Sequence, residues 1–488
     1  MRARGARVNL TACPGIESVP ARGEETQVTT PISETPAREL DRTLTGRAIG
    51  PDDPLYDEAR QVKNRIFDRR PAVIARCADG EDVRTAIAFA RRHALPLAVR
   101  GGGHSVAGFS SLEDGVVVDL SALRDVHVDV HARTADVGGG TTAGDLDAAT
   151  HGFGLATPTA TVTSVGVGGF ALGGGIGHLV RAHGLAADNL VAAELVLASG
   201  DVLHVDEEHE PDLLWALRGG GGNFGAVTRM RFRLRPLATV VGGPMLWPLE
   251  DAERILPLYT TTLAEQPEEV SAFFAVLTIP PVDPFPPELR LRKACALVWC
   301  VTAPAERASA ALDVFRAESP LVDAVGELPY PTLQSSFDES AALGSYGVIG
   351  GLCYADLPDA AAEAFVHCGE TAPTWLSFSH LYPIDGAAAR EPEGGAAWPW
   401  RGARFAQMVL GASDGPGRED ELREWVAAFR DELAPHALGG AYSNFLTDEG
   451  PEVARASYGA SYERLARIKA RFDPDDVFAA NQTIVPAP

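Results

Sequence analysis

A histidine follows three consecutive glycines in Arg100–Ser105, which reads Arg-Gly-Gly-Gly-His-Ser directly after the apolar run Leu97–Val99. Glycine has no Cβ, so the backbone of this loop can adopt positive φ and approach a ligand closely. Successive exposed N–H groups in such a loop form a concave anion site that suits a pyrophosphate. The motif predicts a ligand-binding loop with His104 at its mouth, although a plain tight turn has the same local pattern.

Two further glycine clusters follow, Gly166–Gly177 and Arg218–Gly225. The first begins with Gly166–Ala171, which matches the dinucleotide fingerprint G-x-G-x-x-A, and Asp188 lies at a suitable distance. That fingerprint requires a helix to open at its third glycine position. Four more glycines follow, and each would cost a helix about 1 kcal/mol. We therefore expect a glycine-lined loop, and three such loops favour a large flat cofactor with a phosphate tail.

The elements around the first loop form a small mixed unit. Pro71–Arg76 is typical of a strand, and a helix capped by Asp82 should end near His93. Leu97–Arg100 then returns as a strand into the loop, and Gly115–Leu120 is another short strand. This β-α-β-β order predicts a unit that mixes helix and sheet.

Later segments show where the architecture changes. Hairpins are predicted over residues 126–137 and 191–205, and the composition shifts after Pro236. Residues 279–287 contain five prolines and cannot form regular structure. A second irregular loop, residues 391–401, carries two tryptophans. Long loops of this kind are often lids or binding loops, although plain surface insertions are equally consistent with the pattern.

Length, composition and net charge limit the classes of protein to which this chain can belong. At 488 residues the chain should form two domains, and its 45% hydrophobic and 22% charged residues are ordinary for a globular protein. The formal net charge of −24 repels phosphate backbones, so we expect neither a nucleic-acid nor an anionic-membrane partner. No apolar run approaches the length that crosses a bilayer.

The cysteines predict neither disulfides nor a metal site. The chain has six cysteines, none in a Cys-x-x-Cys pair and none beside a histidine pair at zinc spacing. Unpaired thiols are typical of a reducing compartment, and the N-terminus lacks the apolar segment of a secretory signal, so we expect a cytoplasmic protein. Residues 1–40 are rich in Thr, Pro, Glu and Arg and are predicted to be a disordered tail.

Taken together, these motifs resemble the berberine-bridge-enzyme-like branch of the FAD-linked oxidases, which have a flavin domain of the vanillyl-alcohol-oxidase (PCMH) type, and in particular its bacterial members. The resemblance runs from about Pro71 to Pro486, with little to match in the middle third. The stretches that carry it are Val99–Ser105 with Ala107–Gly108, Gly166–Gly177, Gly184–Leu185 with Asp188–Leu190, Asp212–Ala216, Arg218–Gly225 with Val227–Thr228, and the terminal Tyr458–Gly459, Tyr462, Leu465, Lys469, Phe472–Pro474 and Asn481–Gln482.

The resemblance implies an α+β fold. We expect a PCMH-type FAD-binding domain of two α+β subdomains over residues 41–237. A substrate-binding domain, with a large antiparallel sheet backed by helices, should cover residues 238–440. A C-terminal segment, residues 441–488, should return to the FAD domain.

The resemblance also implies a covalent cofactor. The family's histidine in the Gly-Gly-Gly-His-Ser loop is bonded to the 8α-methyl carbon of FAD, which assigns that role to His104. Some members add a cysteine bond at the position that Val162 occupies here, so we expect a single bond. The other expected FAD contacts are Arg100, Gly101, Gly102, Gly103, Ser105, Gly108, Val162, Gly166, Gly169, Gly173, Gly174, Gly175, Gly177, Asn223, Val227 and Asn481.

The resemblance leaves the catalytic base open, because many members of the family carry Tyr-x-Asn-Tyr where this chain has Tyr442-Ser443-Asn444-Phe445. Phenylalanine has no proton to exchange. Tyr442 and Asn444 remain candidates, and strand alternation would point them to one face and Phe445 to the other. A second set of candidates lies on a segment that resembles a substrate-domain strand facing the flavin, namely His380, Tyr382 and Asp385. An unperturbed histidine pKa of about 6.5 suits a general base.

The implied activity is that of an oxidase. A hydride would pass from a C–H next to a hydroxyl or amine of a small molecule to flavin N5, and O₂ would reoxidise the flavin and yield H₂O₂. We expect a secondary-metabolite tailoring enzyme that is a monomer or homodimer. A carbohydrate oxidase is kept open by Trp398 and Trp400, and an oxidative cyclase by the missing tyrosine. A flavin-binding protein without turnover is the remaining alternative.

Overall fold

The computed structural model describes residues 35–283, 285–343, 346–359 and 361–488. Most of the tail predicted over residues 1–40 therefore lies outside the described residues. Its last part does not fit that prediction, because helix α1 (Pro36–Asp41) packs Leu40 into the core with 1% of its surface exposed. A buried leucine anchors this segment in a way that composition alone did not indicate.

The chain up to residue 237 forms short strands and helices. The strands are β1 (Arg47–Ile49), β2 (Val73–Arg76), β3 (Leu97–Arg100), β4 (Val116–Asp119), β5 (Val126–Asp129), β6 (Thr134–Gly138), β7 (Leu155–Ala156), β8 (Leu190–Val196), β9 (Val202–Val205), β10 (Ala226–Arg233) and β11 (Arg235–Pro236). The helices after α1 are α2 (Tyr56–Ala59), α3 (Gly80–Arg92), α4 (Ala143–His151), α5 (Val167–Leu172), α6 (Val180–His183) and α7 (Pro211–Leu217).

Two sheets carry the first part of the chain. In the order β1-β2-β4-β3, strand β4 pairs parallel with both β2 and β3, which confirms the predicted β-α-β-β unit. The second sheet, β5-β6-β10-β8-β9, is antiparallel and contains both predicted hairpins. Helix α3 lies between the two sheets, where its Val83 and Ile87 share one core with Val116 of β4 and Val196 of β8.

The start of α3 corrects one prediction. The Asp79 side chain, and not that of Asp82, caps the helix by accepting the N–H of Asp82. The buried Asp82 carboxylate instead accepts backbone N–H groups of Thr45, Gly46 and Ala78. The helix begins earlier than the apolar pattern indicates, so Asp82 lies inside its first turn.

Residues 238–440 build one large sheet covered by helices. The strands are β12 (Thr239–Pro248), β13 (Val270–Thr278), β14 (Lys293–Val301), β15 (Val322–Asp323), β16 (Gly326–Pro329), β17 (Tyr346–Tyr354), β18 (Phe378–Pro383) and β19 (Phe405–Ser413). The helices are α8 (Ala252–Glu265), α9 (Ala305–Arg316), α10 (Tyr330–Gln334), α11 (Asp338–Leu343), α12 (Ala361–Thr371) and α13 (Glu419–Leu433). The strand order is β15-β12-β14-β13-β18-β19-β17, with β16 also paired to β12, and every ladder is antiparallel.

This sheet has two different faces because successive side chains on a strand point to opposite sides. Met245 and Trp247 of β12 pack in the core with helices α8, α12 and α13, whereas Leu246 between them faces the first part of the chain. The α+β fold with a large antiparallel sheet backed by helices is thus as predicted. The face that carries Leu246 supplies one wall of the cavity described below.

None of the helices in the described ranges is long and apolar enough to cross a bilayer. The longest of them, α13, has 15 residues and begins with three acidic side chains.

The C-terminal segment returns to the first part of the chain through helices α14 (Pro451–Tyr458) and α15 (Tyr462–Phe472). The fully buried Lys469 of α15 donates to the backbone carbonyl of Asn223 at 2.8 Å and to the Asp473 carboxylate at 2.6 Å. Asp473 in turn accepts the N–H groups of Val477 and Phe478. This buried ion pair fastens α15 to the third glycine cluster.

We predict that Lys469→Met lowers the free energy of unfolding by about 3–5 kcal/mol, because it leaves the Asp473 charge buried without its counter-ion. Urea unfolding followed by circular dichroism measures the change. The control is Arg467→Met, an exposed position on the same helix that should stay within about 0.5 kcal/mol of the parent. Equal losses at the two positions would contradict a role for the buried pair.

Candidate active site

One cavity of about 600 Å³ lies between the two parts of the chain. Glycine-rich backbone surrounds one end, and the face of the large sheet that carries Leu246 surrounds the other. The sequence-predicted residues that line it are Gly101, Gly102, Gly103, His104, Ser105, Val162, Gly166, Gly169, Val227, His380, Tyr382, Tyr442, Asn444 and Asn481. Residues far apart in sequence thus converge on one site.

Other residues predicted for the site do not line this cavity. They are Arg100, Gly108, Gly173, Gly174, Gly175, Gly177, Asn223 and Asp385. Contacts with neighbouring protein atoms explain the types of the glycines, Asn223 and Asp385 without a ligand contact.

The first two glycine clusters touch backbone to backbone. A Cβ on Gly102 would lie 2.4 Å from the amide nitrogen of Gly166, and a Cβ on Gly166 would lie 2.4 Å from the nitrogen of Gly102. Gly103 has φ +70°, a conformation that other residues rarely adopt. Bare backbone is therefore required at this contact whether or not a ligand is present.

The second cluster differs from the loop that we expected. Helix α5 opens at Val167 and includes Gly168 and Gly169, so the prediction of a loop is wrong for this stretch. Its buried Val167 and Leu172 belong to the core beneath the second sheet, and that packing outweighs the cost of glycine in a short helix. The preceding strand β7 ends at Ala156, so the chain does not enter α5 as the dinucleotide fingerprint requires.

The glycines after α5 make room for neighbouring protein atoms. A Cβ on Gly173 would lie 2.4 Å from the Asn444 side chain, and one on Gly174 would lie 2.7 Å from the Trp398 ring. A Cβ on Gly177 would lie 2.0 Å from the Thr159 carbonyl, and Gly175 is similarly enclosed by Phe170 and Ala186. These glycines support the cavity wall from behind.

Arg100 and Gly108 shape the first loop from outside. The buried Arg100 donates to the Ala59 and Gln61 carbonyls and lines a smaller pocket on the other side of the loop. Gly108 has φ +73°, and a Cβ there would meet the Phe67 ring at 2.4 Å.

Asn223 and Asp385 are also held by protein groups. The Asn223 side chain donates to the carbonyls of Gly220 and Gln482, so it joins the third glycine cluster to the C-terminal segment. Asp385 pairs with the buried Arg181 at 2.8 Å. Neither side chain reaches the cavity wall.

His104 is half-buried, and its Nε2 lies 2.9 Å from the Ser164 hydroxyl. Burial lowers the pKa of His104 to about 4, and the nearby positive charge of Lys63 adds to the shift. The imidazole is therefore neutral at pH 7. With Nε2 held by Ser164, Nδ1 is the ring nitrogen left for chemistry.

Cysteine is not found at the cavity in the ranges that the structure describes. Val162 lines the wall where some relatives have a cysteine. Five cysteines are described, and all are buried free thiols, whereas Cys13 lies outside the described residues.

His380 and Tyr382 lie together on β18 at the sheet end of the cavity. The Tyr382 hydroxyl is 3.0 Å from Nδ1 of His380, and His380 is only 8% exposed. Burial lowers the pKa of His380 to about 3, with a contribution from nearby His178, and burial raises the pKa of the Tyr382 phenol. Both groups are thus neutral at pH 7, and the pKa of about 6.5 assumed from the sequence does not apply.

Tyr442, Asn444 and Phe445 do not alternate as a strand, because residues 443–445 form a 3₁₀ turn. The Tyr442 hydroxyl accepts the N–H of Gly175 at 2.8 Å and the Asn444 amide at 2.7 Å. Asn444 also donates to the Phe170 carbonyl. Phe445 lines the cavity and packs against both Tyr382 and Tyr442.

Several lining residues were not assigned to the site from the sequence. Gly221 and Gly222 belong to the third glycine cluster, and Tyr458 and Gln482 belong to the terminal motifs, so a signal existed for these four. Lys63 and Asn64 precede every motif and carried none. The apolar wall formed by the large sheet had no motif either, because its residues are spread over many strands.

The two tryptophans that kept a carbohydrate substrate open do not line the cavity. Trp398 is 3% exposed and packs against Tyr442 with ring centroids 5.2 Å apart. The Trp400 indole donates to the Ala441 and Ser457 carbonyls. The loop of residues 391–401 is therefore part of the protein core at this point.

Comparison with known proteins gives a consistent result. Family models described as "FAD binding domain" and "Berberine and berberine like" match residues 71–206 and 441–485. An FAD-linked oxidoreductase of Bacillus subtilis (strain 168), YgaK, is 30% identical over 450 residues, which covers 91% of this chain and 97% of the relative.

Two solved structures share the fold. The crystal structure of 6-hydroxy-D-nicotine oxidase from Arthrobacter nicotinovorans has a TM-score of 0.79 at 24% identity, covering 91% of this chain and 98% of that one. Xylooligosaccharide oxidase from Myceliophthora thermophila C1 has a TM-score of 0.81 at 22% identity, with 93% and 99% covered. At such low identity these likenesses establish the fold alone.

We predict that Gly102→Ala lowers the flavin content of the purified protein at least tenfold and lowers its melting temperature. The added Cβ meets rigid backbone of Gly166, so the two loops must move apart. Flavin absorbance per protein and thermal unfolding measure the two effects. Gly152→Ala is the control, since a Cβ there meets nothing within 4 Å. Full flavin content in Gly102→Ala would show that the contact is dispensable.

Proposed function

Because this chain belongs to the berberine-bridge-enzyme-like family of FAD-linked oxidoreductases, we propose that it oxidises a small molecule at a C–H bond next to a hydroxyl or amine, with O₂ as the electron acceptor. One observation carries the proposal. A single cavity has His104 in its glycine-rich end and the His380–Tyr382 pair in its sheet end. We propose that the cofactor and the proton-accepting group share this cavity and that the reaction is a secondary-metabolite tailoring step.

The residues present fit FAD. The backbone of Gly101–Gly103 and Gly166, which lines the glycine-rich end of the cavity, would hold the pyrophosphate. Val227 of β10 and Asn481 of the C-terminal segment would contact the remainder of the cofactor. When bound, the flavin supplies two-electron chemistry, accepting a hydride at N5 and passing the electrons to O₂ to give H₂O₂.

We assign His104 as the single covalent attachment point, at the 8α carbon of FAD. Two features support this. The imidazole is neutral at pH 7, so a ring nitrogen can act as a nucleophile, and the bond from Nε2 to Ser164 leaves Nδ1 free. Val162 cannot supply a second bond.

The substrate proton is assigned to the Tyr382–His380 pair. The phenol oxygen of Tyr382 accepts it while the phenol proton moves to Nδ1 of His380, which is 3.0 Å away. Nδ1 of His380 can accept the proton because the imidazole is neutral at pH 7, and the same lowered pKa makes it a weak base. The other candidates are less suited, because Asp385 is paired with Arg181 and the Tyr442 oxygen already accepts two hydrogen bonds.

The parts of the fold have different proposed roles. We propose that residues 41–237 and 441–488 hold the cofactor and that residues 238–440 supply the wall against which the substrate binds.

An oxidative cyclase is the second candidate function. It is favoured by Phe445, which lines the cavity where many relatives have a tyrosine base.

We predict that His104→Ala abolishes covalent flavin. Acid-precipitated parent protein should give a yellow pellet, whereas the variant should give a colourless one. His127→Ala, an exposed histidine on β5, should keep the yellow pellet. A yellow pellet from His104→Ala would assign the bond to another residue.

We predict that His380→Ala slows anaerobic flavin reduction at least tenfold, a barrier increase of about 1.4 kcal/mol. Tyr382→Phe should slow it similarly, and the double variant should be no slower than the worse single variant, because the two groups act as one unit. Stopped-flow absorbance measures the rates. If flavin reduction had its normal rate in these variants and were slow in Asp385→Asn, the proton acceptor would be Asp385 and not the Tyr382–His380 pair.

The pH profile tests the same pair. His380 accepts a proton only when neutral, and its pKa is lowered to about 3, so activity should be lost only as the pH falls towards that value. The reduction rate should therefore be level between about pH 5 and pH 8. An acid limb near 6.5, the ordinary histidine pKa, would contradict the assignment.

A further inference from the structure

We infer that the substrate is an uncharged, largely apolar ring compound with an alcohol group, and that protonated amines and sugars are poor ligands of the cavity. This inference rests on the proposed function, because it describes the ligand of the same site. It is argued from the wall that residues 238–440 contribute, which the family motifs do not cover.

That wall is almost entirely apolar. Aliphatic side chains come from five strands of the large sheet and include Leu246, Leu277, Val298, Ile349, Met408 and Leu410. Burial of apolar ligand surface against such side chains is favourable in rough proportion to area, whereas every ligand hydroxyl placed there loses its water. A mainly hydrocarbon ligand suits this surface.

Aromatic rings cover much of the rest. Phe285, Phe337, Trp375, Phe378 and Phe445 all line the cavity. Aromatic side chains pack well against planar rings through offset stacking or edge-to-face contact. The wall therefore favours a ring system over a flexible chain.

The charged side chains around the cavity favour an alcohol ligand over a protonated amine. Within the parts of the chain that the structure describes, no aspartate or glutamate lines the cavity, and Lys63 is its one lysine or arginine. The acidic Asp338 nearby is already held by the backbone N–H and hydroxyl of Thr163. An ammonium group would enter without a counter-ion, which is costly in an apolar site.

The small number of hydrogen-bonding side chains on this wall favours a ligand with one alcohol group over a sugar. The polar side chains that residues 238–440 present, besides the Trp375 indole, are Thr278, Ser336, His380 and Tyr382. His380 and Tyr382 are hydrogen-bonded to each other, and the Ser336 hydroxyl donates to the Thr332 carbonyl, so few groups at this end of the site are left for ligand hydroxyls. A disaccharide would leave several hydroxyls buried without partners, each of which weakens binding.

The test uses the full-length holoenzyme and three probes at pH 7. They are 2-naphthalenemethanol, its cationic counterpart 2-naphthalenemethanamine, and xylobiose, with binding measured by equilibrium dialysis. We expect the alcohol to bind at least tenfold more tightly than the amine and at least a hundredfold more tightly than the disaccharide. Equal or stronger binding of the amine, through attraction of the cation to the aromatic faces, or of the sugar would overturn the inference, as would no binding of the alcohol.

A matched pair of variants tests the charge argument. Leu410 lines the cavity from β19, half-buried and opposite Phe378. Leu410→Asp supplies the missing counter-ion, and Leu410→Asn has the same shape without the charge. The ratio of amine to alcohol affinity should be at least tenfold higher in the aspartate variant, and an equal ratio in the two would contradict the argument.

Wild-type protein provides a second measurement if the aspartate variant does not fold. Amine affinity should rise as the pH approaches the amine's own pKa, because the neutral fraction grows, while alcohol affinity stays level. An amine affinity that does not rise would contradict the argument.

Binding and turnover are read separately. Dialysis reports the ligand class whether or not the flavin is reduced, and anaerobic bleaching reports the oxidase. Tight binding of the alcohol without reduction by any bound alcohol would count against the proposed function alone. Reduction by an amine that binds better than the alcohol would overturn this inference and leave the oxidase intact.

Discussion

Direct contact between two stretches of bare backbone organises the site. Gly102 and Gly166 approach so closely that a Cβ on either would lie 2.4 Å from the other's amide nitrogen. That contact brings the loop after β3 beside the start of α5 and turns His104 and Ser164 towards each other. The position of the His104 imidazole thus depends on the absence of side chains at two distant points of the chain.

The other walls are held by different physical means. The third glycine cluster is held by the buried ammonium group of Lys469, which donates to the carbonyl of Asn223 while paired with Asp473. The opposite wall depends on strand alternation, which places one set of side chains against helices and the other set in the cavity. Hydrogen bonds and a buried ion pair hold the glycine-rich end of the cavity, whereas a continuous apolar sheet face forms the other end. The two ends of the cavity therefore differ in chemistry.

Local patterns could be predicted from the sequence where neighbouring residues determine them. The β-α-β-β unit, both hairpins and the irregular proline-rich segment depend on short-range periodicity and turn chemistry. Gly101–Gly103 were correctly placed in a loop for the same reason. The motif resemblance then predicted that glycine-rich residues and C-terminal residues meet at one site, and residues of both groups, such as His104 and Asn481, line the cavity.

Long-range packing explains where prediction from the sequence failed. A glycine indicates that something approaches closely but not what, so Gly173 and Gly177 were assigned to a cofactor although protein atoms fill the space. Helix α5 forms despite its glycines because Leu172 is buried. The lowered pKa of His380 depends on the desolvating wall around it, which comes from many strands.

The cavity wall also sets an order of events during synthesis. Tyr458, Asn481 and Gln482 contribute to the same enclosure as His104. A ribosome-bound chain that has exposed only its first glycine loops lacks these residues, so its cleft is open on that side. The enclosure is complete only after residues up to Gln482 have been synthesised and have docked.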